Sequence, residues 1–177
     1  MRWLAPLILS AVPAFAQTAA PSSTAATYGT WTVTCLQNAD QKVCQMTTKL
    51  NLKGSDGQSH PLIEVAIGQP PAGGDVRIVL QVPLDVALRE PVVVSVDAAG
   101  EATPKPQTEL LTASFFACVP SGCIADAVLE ANTLKTLQTS ATMNATFTAL
   151  AGAKRITVPV PLTGFGDAWA ALGLNAP

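Results

Sequence analysis

Histidine occurs once in these 177 residues, at His60, and charged side chains make up only 12% of the chain. A Ser-His-Asp hydrolase would therefore have to use His60 itself. There is no G-x-S-x-G elbow, no phosphate loop and no dinucleotide fingerprint, which removes the motif-bearing hydrolases and nucleotide binders. Cysteine never occurs as C-x-x-C, so the usual thiol redox motif is missing. Basic residues are few, 10 Lys and Arg against 12 Asp and Glu, and Lys154-Arg155 is the only adjacent basic pair. Nucleic-acid binders carry a basic footprint that this chain does not have. Beyond the first sixteen residues, no apolar run approaches the roughly 20 residues needed to cross a bilayer.

What is present begins with an address. Met1-Arg2 leads into an almost wholly apolar run, Trp3 to Phe15, and Ala14-Phe15-Ala16 precedes Gln17. A short basic start, an apolar stretch and an A-x-A site make a secretory signal peptide cleaved after Ala16. Pro6 and Pro13 interrupt the stretch, which argues against a membrane anchor, and no cysteine at the junction marks a lipoprotein. Loss of Arg2 takes the formal charge from −2 to −3. The expected organisation is 1–16 signal peptide, 17–27 a mobile tail of Ala, Ser, Thr and Pro, and 28–177 a single domain large enough for a real core.

Four cysteines in an exported chain suggest two disulfides. Three pairings are possible. The local one, Cys35 with Cys44 and Cys118 with Cys123, closes each pair around a turn, and such short loops contribute about 2–3 kcal/mol each. Zinc is the alternative, but eight residues between Cys35 and Cys44 are too many for a zinc knuckle.

Thr, Ala and Val are abundant, which suits strands. Trp31, Val33 and Cys35 alternate with threonines. Cys44, Met46, Thr48, Leu50 and Leu52 then alternate with Gln45, Thr47, Lys49, Asn51 and Lys53, the period of a half-buried strand. If Cys35 lies opposite Cys44, then Val33 faces Met46 and Trp31 faces Thr48 on the core side. Further strands are predicted at Ile63–Ile67, Val76–Val82, Pro91–Val96, Leu110–Cys118, from Cys123, at Met143–Ala149 and at Ile156–Leu162. Pro159 and Pro161 make the last an edge strand. The valine run after Pro91 points to burial on both faces or an edge against another element. A short helix is expected near Asn132–Leu137 and a capping helix over Gly166–Leu172. Eight or nine short strands without βαβ alternation define an all-β fold, an antiparallel β-sandwich with one or two short helices.

Several pieces then occur in order: Tyr-Gly-Thr-Trp-Thr-Val-Thr-Cys from Tyr28 to Cys35, Cys-Gln-Met from Cys44, Val-Pro-Leu from Val82, Cys-Val-Pro-Ser-Gly-Cys from Cys118, and Val-Pro-Leu-Thr-Gly-Phe from Val160. In these the chain resembles the invasion-associated locus B family of bacterial exported proteins, over nearly the whole mature length. The resemblance implies an immunoglobulin-like sandwich in the periplasm or at the outer envelope, and a link to host-cell entry in pathogenic members. It carries no catalytic residues over to this chain.

His60, between Ser59 and Pro61, should lie in a loop before a strand, with Asp56 nearby. The carboxylates are scattered, and none has the spacing of a calcium loop; paired carboxylates of the glycosidase kind could only meet in three dimensions. Trp31, Phe165 and Trp169 are expected in the core and cap, a ligand patch being the alternative reading. The expectation is therefore a non-enzymatic interaction module without cofactor or metal, whose partner is an envelope or host protein. A chaperone-like or inhibitor-like housekeeping factor is the alternative, favoured by an exposed apolar groove. A hydrolase or oxidoreductase with an unrecognised site comes third.

Overall fold

The computed structural model of the chain describes residues 22–38, 41–54, 57–98 and 106–174. The signal peptide 1–16, residues 17–21 of the expected tail, Asp56 and Glu101 lie outside the described residues.

In chain order the elements are β1 (Ser22–Tyr28), β2 (Trp31–Asn38), β3 (Gln41–Lys53), β4 (Ser59–Gly68), β5 (Arg77–Val82), β6 (Val92–Asp97), β7 (Gln107–Val119), β8 (Gly122–Val128), helix α1 (Ala131–Thr139), β9 (Thr142–Ala149), β10 (Lys154–Pro161) and helix α2 (Phe165–Leu172). The strands form one antiparallel sheet in the order β1-β2-β3-β4-β5-β8-β7-β6-β9-β10. The fold is thus all-β and sandwich-like, with two short helices.

β7 joins the two halves. Its first part, Gln107–Ala113, pairs with β6, and its second, Ser114–Val119, pairs with β8. Each pairing carries an irregularity: Leu110 is the extra residue opposite Val94–Ser95, and Phe116 the extra one between Phe115 and Ala117. Extra residues of this kind bend and twist a strand, which lets one strand serve both layers.

The alternation seen in the sequence decides what goes inside. Trp31, Val33 and Cys35 on β2, and Cys44, Met46 and Thr48 on β3, are all buried. The register pairs Cys35 with Cys44 and Val33 with Met46, as the hairpin argument requires. Ile63, Val65 and Ile67 of β4 and Ile78, Leu80 and Val82 of β5 continue this face. Val92, Val94, Met143, Ala145, Val158 and Val160 supply apolar side chains from the other half, and Leu134, Leu137, Phe165, Trp169 and Leu172 come from the helices, in one continuous cluster. α2 packs on β1, β2, β3 and α1.

Two expectations are corrected. Ser22–Thr27, read as part of a mobile tail, is a strand paired residue by residue with β2. It was not visible as a strand because its side chains are exposed on both faces, so it carries no hydrophobic period. His60 lies inside β4, opposite Leu52, and not in a loop before it. The irregularity between Leu50 and Asn51 sits beside Pro61, which cannot supply a ladder N–H.

Candidate functional site

Side chains on the solvent side of β2–β5 are those out of phase with the core: Thr34 and Leu36, Val43 and Gln45, Ala66 and Gly68, Arg77 and Val79. They line a groove of about 320 Å³, with Ile67, Cys44 and the Gln69-Pro70-Pro71 segment. Leu36 is 50% exposed there. Most of the lining is apolar, an unusual property for a solvent-side sheet face, where polar side chains are the rule.

Local chemistry holds the groove open and shaped. Gly68 keeps its floor low: a Cβ at this position would lie 3.0 Å from the Cys44 carbonyl oxygen and 3.2 Å from the Gln45 Cβ. The wall is the turn between β4 and β5. Its Gly73 N–H donates to the Pro70 carbonyl at 2.9 Å, and Gln69 Nε2 donates to the Gly74 carbonyl at 2.6 Å. Gln41 Nε2, at the start of β3, donates to the Pro71 carbonyl and ties this wall to the β2–β3 hairpin. The Cys35–Cys44 disulfide staples the same hairpin from beneath. At the far end Arg77 is paired with Asp126 on β8, so the groove's one cation is already matched by an anion.

A second hollow, of about 220 Å³, lies on the other layer between Glu90, Pro91, Val93, Thr146, Thr148 and Arg155. Its polar groups largely serve each other. Thr148 Oγ1 donates to Glu90 Oε2 at 2.6 Å, and the Thr146 and Thr157 hydroxyls share a hydrogen bond of 2.9 Å. Asn144, Thr146 and Thr148 are buried although they face away from the core.

The residues singled out from the sequence do not converge. The cysteines form the bridges Cys35–Cys44 and Cys118–Cys123, and none is free. Cys118 and Cys123 are register partners on β7 and β8, away from the groove. Glu64 pairs with Lys49 at 3.0 Å and Asp97 accepts from Asn144 at 2.8 Å, so these carboxylates serve separate strands. Among the described residues, no group of three His, Cys, Asp or Glu could hold a metal ion. Trp31, Phe165 and Trp169 are buried and form no exposed patch. The Trp31 and Phe165 rings meet edge to face, centroids 5.2 Å apart, and Trp31 Nε1 donates to the Pro161 carbonyl at 3.2 Å. The groove escaped sequence reasoning. Its signal was there: apolar Leu36 and Val43 stand at the polar phase of their strands, followed at a distance by Gly68 and Pro70-Pro71.

Comparison with known proteins follows the same outline. The family model described as invasion associated locus B protein matches residues 31–173. Invasion protein B homologs from two strains of Brucella abortus are each 29% identical over 162 residues, covering 90% of this chain and 86% of the relative. The crystal structure of invasion associated protein B from Bartonella henselae superposes with a TM-score of 0.65 at 24% identity, covering 84% of this chain and 94% of that one. That likeness is one of fold.

Proposed function

The chain belongs to the invasion associated locus B family, and from that premise we propose that it is an exported, non-enzymatic protein-interaction module of the bacterial envelope, immunoglobulin-like in architecture. Its leader directs it to the periplasm, the outer envelope or the medium. In pathogenic relatives the interaction serves host-cell entry, in keeping with the names those relatives carry. The partner is an envelope or host protein.

The observation that carries this reading is the groove over β2–β5. Binding sites are concave and mostly apolar with a few placed polar groups, and this one is rigidly framed by a disulfide-stapled hairpin and a braced turn. With Arg77 neutralised by Asp126, the groove suits an uncharged apolar protein segment. Among the residues that line it, the one ionisable side chain is Arg77, held by Asp126, and the rest are apolar or uncharged. The same openness favours a second reading, a chaperone-like factor that holds many apolar segments.

Photo-crosslinking in living cells separates the readings. A crosslinking residue at Leu36 is compared with one at Leu150, which is 66% exposed on another part of the molecule. One dominant partner joined at Leu36 through an apolar segment, and lost on Ala66→Lys, supports the interaction module. A broad set of unfolded envelope proteins supports the chaperone-like factor. Equal labelling from both positions removes the groove as the binding surface.

A further inference from the structure

The sheet ends in two edges, β1 and β10, and they differ in what they offer. In an antiparallel ladder a residue's N–H and C=O face the same neighbour, and successive residues face alternate sides. On β10 the prolines Pro159 and Pro161 have no N–H to give, so they stand where an edge strand faces outward. The Pro161 carbonyl is taken as well, accepting from Trp31 Nε1 at 3.2 Å and Thr30 Oγ1 at 3.3 Å. This edge is blunted.

Among the described residues, no strand pairs with the outer edge of β1. Cys35 and Cys44 are register partners whose Cα atoms lie 4.0 Å apart, the close spacing of a pair that exchanges no backbone hydrogen bonds. The N–H and C=O of Cys35 therefore face β1, where its partner is Thr24. By alternation Ser22, Thr24, Ala26 and Tyr28 bond to β2, while Ser23, Ala25 and Thr27 point their N–H and C=O groups off the free edge. The tight turn at Gly29–Thr30 agrees, because Tyr28 and Trp31, which flank it, form the closing pair. Natural edges are protected by proline, charge, bulges or a covering element. Ser22–Tyr28 contains no proline and no charge, its register with β2 is uninterrupted, and its side chains from Ser22 to Thr27 are exposed.

We propose that this edge takes the same edge of a second copy of the chain, antiparallel about a two-fold axis at Ala25. Ala25 then lies opposite its own equivalent and Ser23 opposite the second copy's Thr27. Each of the three residues donates one backbone hydrogen bond and accepts one. The strand suits itself as a partner: its outward set, Ser23, Ala25 and Thr27, is small and uncharged, so identical strands meet without like-charge repulsion. The contact is isologous and closes after two copies.

Sedimentation equilibrium of the purified, oxidised protein over a concentration series tests this. The expected result is a monomer–dimer equilibrium. Ala25→Pro removes the central donor without touching a bond to β2, and Ala25→Lys places two like charges face to face across the axis. Each should raise the dimer dissociation constant at least tenfold while leaving the urea unfolding midpoint of the monomer in place. Ala66→Lys, in the groove, should leave the dimer intact, so failure of groove binding and failure of self-pairing are read separately. A monomer at every concentration overturns the proposal, as does a dimer that survives both Ala25 variants or is lost only on Ala66→Lys.

Discussion

Gly29 and Gly164 meet backbone against backbone, where the turn between β1 and β2 crosses the turn that leads into α2. A Cβ on Gly29 would lie 2.3 Å from the Thr163 carbonyl oxygen, and one on Gly164 would lie 2.2 Å from that of Tyr28. Thr30 N–H donates to the Thr163 carbonyl at 3.0 Å in the same seam. Both glycines have positive φ, 57° and 82°. The contact ties the first hairpin of the described chain to its last helix, and with it the two ends of the sheet.

Gly164→Ala should therefore cost about 3 kcal/mol or more, because it adds a steric overlap with backbone to an unfavourable φ. Gly152→Ala is the control. Gly152 has a similar φ of 73° but nothing within 4 Å of the added Cβ, so only the conformational cost of about 1–2 kcal/mol applies. Urea unfolding midpoints of the two variants, compared at equal slope, give the strength of the seam.

The two disulfides should not be equivalent. Their cysteines are 9 and 5 residues apart in sequence, and the loop-closure model assigns about 2.7 and about 2.2 kcal/mol to loops of this size. The Cys35–Cys44 bridge is also buried on the core face, whereas Cys118 is exposed. Replacing both members of the first pair by alanine should therefore cost about 3–4 kcal/mol, including lost packing, against about 2 kcal/mol for the second. Thermal unfolding of the two double variants checks the order.

Trp31 and Phe165 should be energetically coupled. Edge-to-face pairs add about 0.5–1.5 kcal/mol beyond burial. A double-mutant cycle with Trp31→Leu and Phe165→Leu should return a coupling of that size. Trp31→Phe should cost about 1–3 kcal/mol, since it leaves a cavity and removes the hydrogen bond to the Pro161 carbonyl. A coupling indistinguishable from zero would mean that the two rings merely share a core.

Much of this architecture was legible in the sequence, for reasons visible in particular residues. The β2–β3 hairpin followed from one cysteine pair and a period of two, since fixing Cys35 opposite Cys44 places Val33, Met46 and Trp31 on one face. Pro159 and Pro161 mark β10 as an edge strand in the sequence itself. β1 stayed hidden because Ser22–Thr27 is held chiefly by backbone bonds to β2, and backbone bonds leave no mark on composition. The burial of Asn144, Thr146 and Thr148 was also hidden: alternation with Met143, Ala145 and Phe147 tells which side faces the core, not whether neighbouring strands shade the other side. The groove depends on residues from β2 to β5 and the β4–β5 turn, and only the sheet order brings them together.

Thr148 provides a test of that shaded polar face. Its hydroxyl, in a residue only 6% exposed, donates to the Glu90 carboxylate. Thr148→Val keeps the shape and removes the donor. Hydrogen bonds to charged groups contribute about 1.5–3 kcal/mol, but Glu90 itself is exposed and water can replace the lost partner. A loss of about 1 kcal/mol is expected in chemical denaturation, and it should vanish in a Glu90→Ala, Thr148→Val double variant compared with Glu90→Ala alone.

Ala66→Lys bears most directly on function. Ala66 is half-buried on β4, between Thr47 of β3 and Val79 of β5 in the register, and it lines the groove floor. A lysine there can run its apolar stem along the groove and hold its ammonium in water, so the fold should lose no more than about 1 kcal/mol. The groove, in contrast, would be filled and would gain a charge that an apolar partner segment cannot pair, and leaving such a charge desolvated is costly. Partner affinity measured by titration calorimetry should fall at least tenfold at an unchanged unfolding midpoint. An unchanged affinity would move the binding surface off the groove, to the β1 edge or to the hollow beside Arg155.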